Sequence, residues 1–275
     1  MTGFFASVPV HTALAVGGVV AIASAVVGVF TVIRGQSFAG EALADVGATG
    51  GAGAFLVGVA PLWGFLTFTV AAALGMELVG VRRPRGRDLA TGIVLGLGIG
   101  LSALLLYLDT TFDNTTGAAI TILFGSIFAI SPSLVPVVAT CAVLAVAATL
   151  LVYRPLLLST VSPDLAAARG IPVRAVGGAY LLALAVAVAL AALTIGAILS
   201  TALLVGPAAT AVRLTRRPGH AMFVAAGIGA AATWLGVVLA YASFYWPPAG
   251  RGWPVSFFVV ALVFAGYLAS GPRTV

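Results

Sequence analysis

Apolar residues run along this chain in long blocks, interrupted by short polar or turn-forming points. About 20 consecutive apolar residues make a helix long enough to cross a bilayer. On that measure the pattern predicts spans near 11–33, 38–59, 61–80, 89–108, 133–153, 176–195, 197–213, 221–245 and 254–271. The second break rests on Pro61 and the sixth on Gly196, so the count is eight or nine. Residues 117–130 are apolar but short, and Pro132 ends them; they read as a re-entrant or interfacial helix. The expected fold class is therefore all-α. It is one polytopic membrane domain over 1–275, with the short helix at 117–130 and a short cytoplasmic helix inside 154–174.

Composition narrows the function. Of 275 residues, 61% are hydrophobic and 7% charged, with a mean hydropathy of +1.19. A soluble domain carries about 25% charged residues. Too little polar surface remains for a soluble enzyme, and disordered chains are polar where this one is not. All 13 basic residues are Arg, and the formal charge is +6. Without Lys there is no Gly-Lys-Ser/Thr phosphate loop. The arginines sit at span ends rather than on one solvated face, which excludes nucleic-acid binding. Cys141, the single cysteine, reads as a small buried residue without an internal disulfide. No basic residue precedes the first apolar block, so that block is expected to stay as a membrane helix rather than be cleaved. Gly92, Gly96 and Gly100, spaced by four, predict a ridge for close helix contact.

Arginine placement sets the orientation through the positive-inside rule. With nine spans and the N-terminus outside, the cytoplasmic segments hold Arg34, Arg82, Arg83, Arg85, Arg87, Arg154, Arg169, Arg174, Arg213, Arg216, Arg217 and Arg273. Only Arg251 falls outside.

Three stretches could carry chemistry. In the first, Glu41 and Asp45 are four apart and share one helix face. Two carboxylates there suit a hard or borderline divalent cation. An acid at mid-bilayer costs roughly 2.5–3.5 kcal/mol, so it normally faces a cavity or a partner. The plain alternative is that Ser37 caps the helix and the dipole favours a nearby acid. Glu41 then needs no function, whereas Asp45 lies roughly 6 Å deeper at 1.5 Å per residue. Gly47, Gly50, Gly51 and Gly53 are expected to serve packing.

In the second, Ser162 is a plausible N-cap, Pro163 suits the first helical position and Asp164 meets the positive dipole end. Gly170 suits the C-terminal turn, and Pro172 prevents continuation. This short helix is either a docking knob for a cytoplasmic partner or an ordinary connector. In the third, Pro207 interrupts an apolar helix that begins near Thr201, as a pore or hinge element or as simple packing. His11 and His220 read as interfacial, Glu77 as reaching the interface or Arg82, and Asp109 and Asp113 as solvated loop acids.

Four ordered stretches resemble the integral-membrane permease of metal-ion ABC transporters, the zinc/manganese/iron uptake family. They are Arg34-x-x-Ser37-x-x-Gly40-Glu41-x-Leu43-x-Asp45 within 27–58; Leu123-Phe124-Gly125-Ser126 with Ser131-Pro132; Ser162-Pro163-Asp164-Leu165-Ala166 with Gly170; and Leu203 to Ala211 around Gly206-Pro207. The resemblance implies a homodimer in the plasma membrane of a prokaryotic cell. It also implies two cytoplasmic ATPase subunits that hold the ATP, and an extracellular solute-binding protein. The transported divalent metal would be cargo, and the chain would hold no cofactor of its own and be no enzyme. Ser162, Pro163, Asp164, Leu165, Ala166 and Gly170 would form the coupling helix. The family commonly has His at the position of Asp45; a carboxylate shifts preference toward Mn²⁺ or Fe²⁺. The segment 247–254 is only loosely similar to the family's Pro/Thr/Gly-rich turn. Two alternatives remain at this level: an ion-coupled secondary metal carrier using Glu41 and Asp45 as a relay, and an ABC permease for a metal chelate. Dependence on ATP hydrolysis separates the first from the leading reading.

Overall fold

In lipid an unpaired backbone N–H or C=O has no water to bond, so apolar segments close their hydrogen bonds within helices. The computed structural model follows that rule. It describes residues 7–79, 84–112, 117–246, 250 and 252–271, with side chains at 79 and 84–90 left aside. Arg82, Arg83, Asp113, Arg251, Arg273 and residues 247–249 lie outside the described residues. No strand occurs among the described residues.

The helices are α1 (Val8–Ile33), α2 (Ser37–Leu56), α3 (Pro61–Val79), α4 (Pro84–Phe112), α5 (Gly117–Phe124), α6 (Val135–Leu151), α7 (Tyr153–Val161), α8 (Pro163–Ala168), α9 (Val173–Ile195), α10 (Ala197–Leu214), α11 (Pro218–Ser243) and α12 (Val255–Ala269). Seven of them are long and apolar enough to cross a membrane: α1, α3, α4, α6, α9, α10 and α11. In α2, 20 residues long, Glu41, Asp45 and five glycines dilute the apolar character. The apolar α12 has 15 residues. The all-helical, multispan fold stands; among the described residues, length and apolarity alone support seven of the eight or nine expected spans.

Both expected breaks are present. Pro61 opens α3 after Gly58 turns the chain at φ 73°. Gly196, at φ 92°, separates α9 from α10 and lies against Gly125, itself at φ 77°. A Cβ on Gly196 would sit 2.3 Å from the Leu123 carbonyl oxygen, so only glycine allows α5 to dock there. The short helix expected at 117–130 is thus α5 followed by 3₁₀ turns at Ile127–Ala129 and Pro132–Leu134.

Of the seven spans, α1 and α9 are the most buried and α4 the least. One core joins Phe30 of α1, Leu43 of α2, Leu156 of α7, Tyr180 and Leu184 of α9, and Leu204 of α10, all fully buried. The helix α7 had no counterpart in the sequence reading. Its Leu156 enters the core, and Tyr153 meets Phe30 edge-on at 5.6 Å between ring centroids.

Among the described residues, a Cβ on Gly92, Gly96 or Gly100 would meet nothing within 4 Å; Gly98, on another face of α4, makes the close contact with α2. A Cβ on Gly98 would lie 2.8 Å from the Val46 backbone nitrogen. Two expectations need correction. Asp109 is no solvated loop acid, because α4 continues to Phe112 and buries it completely. Cys141 is half-buried beside a core cluster rather than enclosed by it.

Candidate functional site

Three residues, Arg34, Gly35 and Gln36, separate α1 from α2. Gly35 takes φ 64°, and the Gln36 N–H returns to the Thr31 carbonyl at 2.8 Å. Gln36, not Ser37, holds the N-cap position, and it makes no side-chain cap. Ser37 to Gly40 fill the first turn, which contains no acid. The helix-dipole account of Glu41 therefore loses its basis.

Instead Glu41 has a long-range partner. The Thr201 hydroxyl of α10 donates to its Oε2. Around this bond α10 is wedged between α1 and α2. A Cβ on Gly28 would stand 1.9 Å from the Leu204 carbonyl oxygen, and one on Gly40 would stand 3.0 Å from the Leu204 side chain. Asp45, half-buried, lies one turn further along α2, where the helix meets α4. Thr49, another turn on, donates to the Gly98 carbonyl at 2.9 Å. The glycines after Asp45 serve packing, as expected. Gly50 and Gly64 touch backbone to backbone, and Gly47 and Gly51 receive Phe65.

Pro207 is buried within α10, which continues unbroken past it. Lacking an N–H, it leaves the carbonyl four residues earlier, on Leu203, without its helical donor. Thr201 and Pro207 thus stand on one helix, the first bonded to an acid and the second six residues along.

The capped helix forms as the sequence predicts. Ser162 is the N-cap of α8, and its Oγ accepts from the Leu165 N–H at 3.3 Å. Pro163 is the first helical residue, and Asp164 lies in the first turn. Gly170, at φ 75°, closes the far end, where the Ile171 N–H returns to the Ala166 carbonyl at 3.0 Å. Pro163, Asp164, Leu165 and Gly170 are exposed and Ser162 half-exposed, but Ala166 is fully buried. Ala166 seats the helix on its own protein rather than facing outward.

Among the described residues, no three His, Cys, Asp or Glu side chains gather into a metal-binding group. His11 and His220 are exposed at helix starts. Glu77 does not run off toward the interface alone. It lies against Gly178 of α9 in a groove of about 380 Å³ shared with Arg174. Asp109 is the acid whose placement the sequence reading missed. Its signal was present: Gly98, Ser102, Leu106 and Asp109 recur at helical spacing, and all four are buried.

Residues 9–267 match the ABC 3 transport family. The chain belongs to that family. This ABC 3 protein is 31% identical over 222 residues to the manganese transport system membrane protein MntC of Listeria innocua, covering 81% of this chain and 78% of that one. It is 28% identical over 210 residues to the high-affinity zinc uptake system membrane protein ZnuB of Haemophilus influenzae, covering 75% and 78%. The fold matches that in the structure of PsaBC from Streptococcus pneumoniae in complex with Fab. There the TM-score is 0.82 at 24% identity, covering 99% of this chain and 94% of that one. The ABC 3 protein is thus a multi-pass protein of the plasma membrane, of a family of transport proteins.

Proposed function

We propose that this ABC 3 protein is the permease of an importer that moves a divalent transition metal into the cell, with Mn²⁺ or Fe²⁺ preferred over Zn²⁺. The observation that carries the reading is the pair of acids Glu41 and Asp45, one turn apart on a helix packed among apolar spans. Their cost in lipid is offset when a cation or a donor neutralises them. Glu41 has such a donor in Thr201. An arriving cation would take the place of that hydroxyl and gather both carboxylates.

Oxygen ligands favour hard ions, and imidazole is missing from the α2 face. The relatives MntC, a manganese transport protein, and ZnuB, a zinc uptake protein, support a divalent metal as cargo. One chain supplies two carboxylate groups, fewer donors than the six or so oxygen ligands a hard divalent ion takes. A homodimer with two α2 helices facing one path would double them, and water would complete the shell. Weak, incomplete ligation also suits transport, because the ion has to leave.

The chain carries no nucleotide motif, so the energy comes from separate ATPase subunits. The exposed residues of α8, led by Asp164 and Leu165, are their docking contacts. A solute-binding protein delivers the ion from outside. Pro207 gives α10 a weakened turn about which Thr201 can swing away from Glu41. The test is uptake of radiolabelled Mn²⁺, Fe²⁺ and Zn²⁺ by cells lacking their own importers and supplied with this permease, its ATPase and its binding protein. Uptake that requires ATP hydrolysis supports the reading; no uptake of any of the three overturns it.

A further inference from the structure

The inner end of α1 is a junction. Arg34, the residue that caps α1, is half-buried and reaches the last turn of α7. Its Nη1 donates to Ser159 Oγ at 3.4 Å and to Thr160 Oγ1 at 3.2 Å. Both hydroxyls spend their protons on the Leu156 carbonyl, at 2.9 and 2.6 Å, so their oxygens are free to accept from the guanidinium. The guanidinium carbon also lies 5.7 Å from the ring centroid of Tyr180 on α9. Tyr180 is itself fixed to α1, sharing a 2.7 Å hydrogen bond with Thr31 and donating to the Val27 carbonyl at 3.1 Å.

Two short stretches of chain leave this junction. Thr160 is two residues before Ser162, which ends α7 and caps α8. Arg34 is three residues before Ser37, where α2 begins, and the tight turn at Gly35 leaves little slack. Glu41 and Asp45 follow one and two turns along the same helix. Along this route from α8 to the acids, every link is covalent or passes through the Arg34 side chain. On α7 the grip is made to two neutral hydroxyls. Hydrogen bonds to neutral acceptors are weaker than those to carboxylates, so these contacts can break and re-form.

We propose that Arg34 is a positioning residue that couples movement of α8 to the orientation of α2, and so to Glu41 and Asp45. The proposal rests on the importer reading. A push on α8 shifts the end of α7. The Arg34 fork passes that shift to the α1–α2 turn, which rotates the acid-bearing face. Without the fork, α8 can still engage an ATPase, but the acids do not follow.

The experiment uses the whole importer in proteoliposomes and reads metal uptake per ATP hydrolysed. Two variants remove the same contacts from opposite sides: Arg34→Gln, and the double change Ser159→Ala with Thr160→Val. Both are expected to hydrolyse ATP while uptake per ATP falls about tenfold, within the range of ordinary coupling energies. A purely structural role would lower uptake and hydrolysis together and leave their ratio unchanged. A wild-type ratio in assembled Arg34→Gln or in the double variant overturns the proposal. If Arg34→Gln fails to assemble, the double variant, which leaves Arg34 in place, decides alone. Wild-type importer that hydrolyses ATP without moving Mn²⁺, Fe²⁺ or Zn²⁺ overturns the importer reading itself, a distinct result.

Discussion

Glu41 and Asp45 are alike in chemistry and differently held. Glu41 accepts from Thr201 on α10, while Asp45 lies where α2 passes closest to α4. The first belongs to a contact that can open, the second to a crossing that cannot widen easily. Asp45→Ala is expected to reduce Mn²⁺ uptake to background while the complex still assembles, because it deletes the proposed ligand without touching the packing glycines. Normal uptake by the assembled variant would remove Asp45 from the path. Asp45→His introduces an imidazole, a ligand that suits Zn²⁺ well. Its expected effect is stronger competition by Zn²⁺ against Mn²⁺ uptake, measured with both ions present. An unchanged competition ratio would mean that selection is made elsewhere, as by the binding protein.

At the scale of elements, glycine decides which helices can touch. A Cβ on Gly50 would lie 2.1 Å from the Gly64 carbonyl oxygen, so Gly50→Ala must separate α2 from α3. Overpacking of this kind costs about 1–3 kcal/mol. At Gly53 the nearest atom would be 3.6 Å away, on Leu105, so Gly53→Ala is expected to be neutral or to gain a little helix propensity. Thermal unfolding in detergent compares them; equal melting temperatures would contradict the close α2–α3 contact. For α8, Asp164→Arg places a cation at the positive end of the helix and on the surface proposed to meet the ATPase. Metal-stimulated ATPase activity should fall, and an unchanged rate would count against docking there. These elements also mark what could be read in advance. Pro61, Gly196 and the Ser162-to-Gly170 cap signals act through local backbone geometry, so their spacing was enough. The Gly92, Gly96 and Gly100 spacing defines a face but not its neighbour, and within the described chain Gly98 makes the close contact instead. Asp109 and α7 were missed for a related reason: a polar residue, or a short segment of mixed polarity, looks like a loop until a partner helix buries it. The contact between Thr201 and Glu41 spans 160 residues, and no local pattern records such a pairing.

Over the whole molecule, charge and aromatic residues divide between the two ends of the bundle. Arg34, Arg154, Arg169, Arg174, Arg213, Arg216 and Arg217 all fall at the turns joining α1 to α2, α6 to α9, and α10 to α11. Contacts tie these turns together at one end. Arg34 reaches α7, and Arg213 lies over the ring of Tyr267 near the end of α12, 3.6 Å from its centroid. At the opposite end, Trp246 and Trp253 pack with Phe257 and Phe258 where α11 passes to α12. Aromatic rings of this kind favour a membrane–water interface, and arginine favours the cytoplasmic side. The chain's one cysteine makes the orientation measurable. In a Cys141→Ser background, Gly252→Cys adds a thiol at the aromatic end, where the glycine is exposed and a Cβ meets nothing closer than 3.9 Å. Arg169→Cys adds one at the exposed end of α8. A membrane-impermeant maleimide should label the first in intact cells, and the second only after permeabilisation. The opposite pattern would turn α8 outward, away from any ATPase, and remove the mechanical basis of the importer reading.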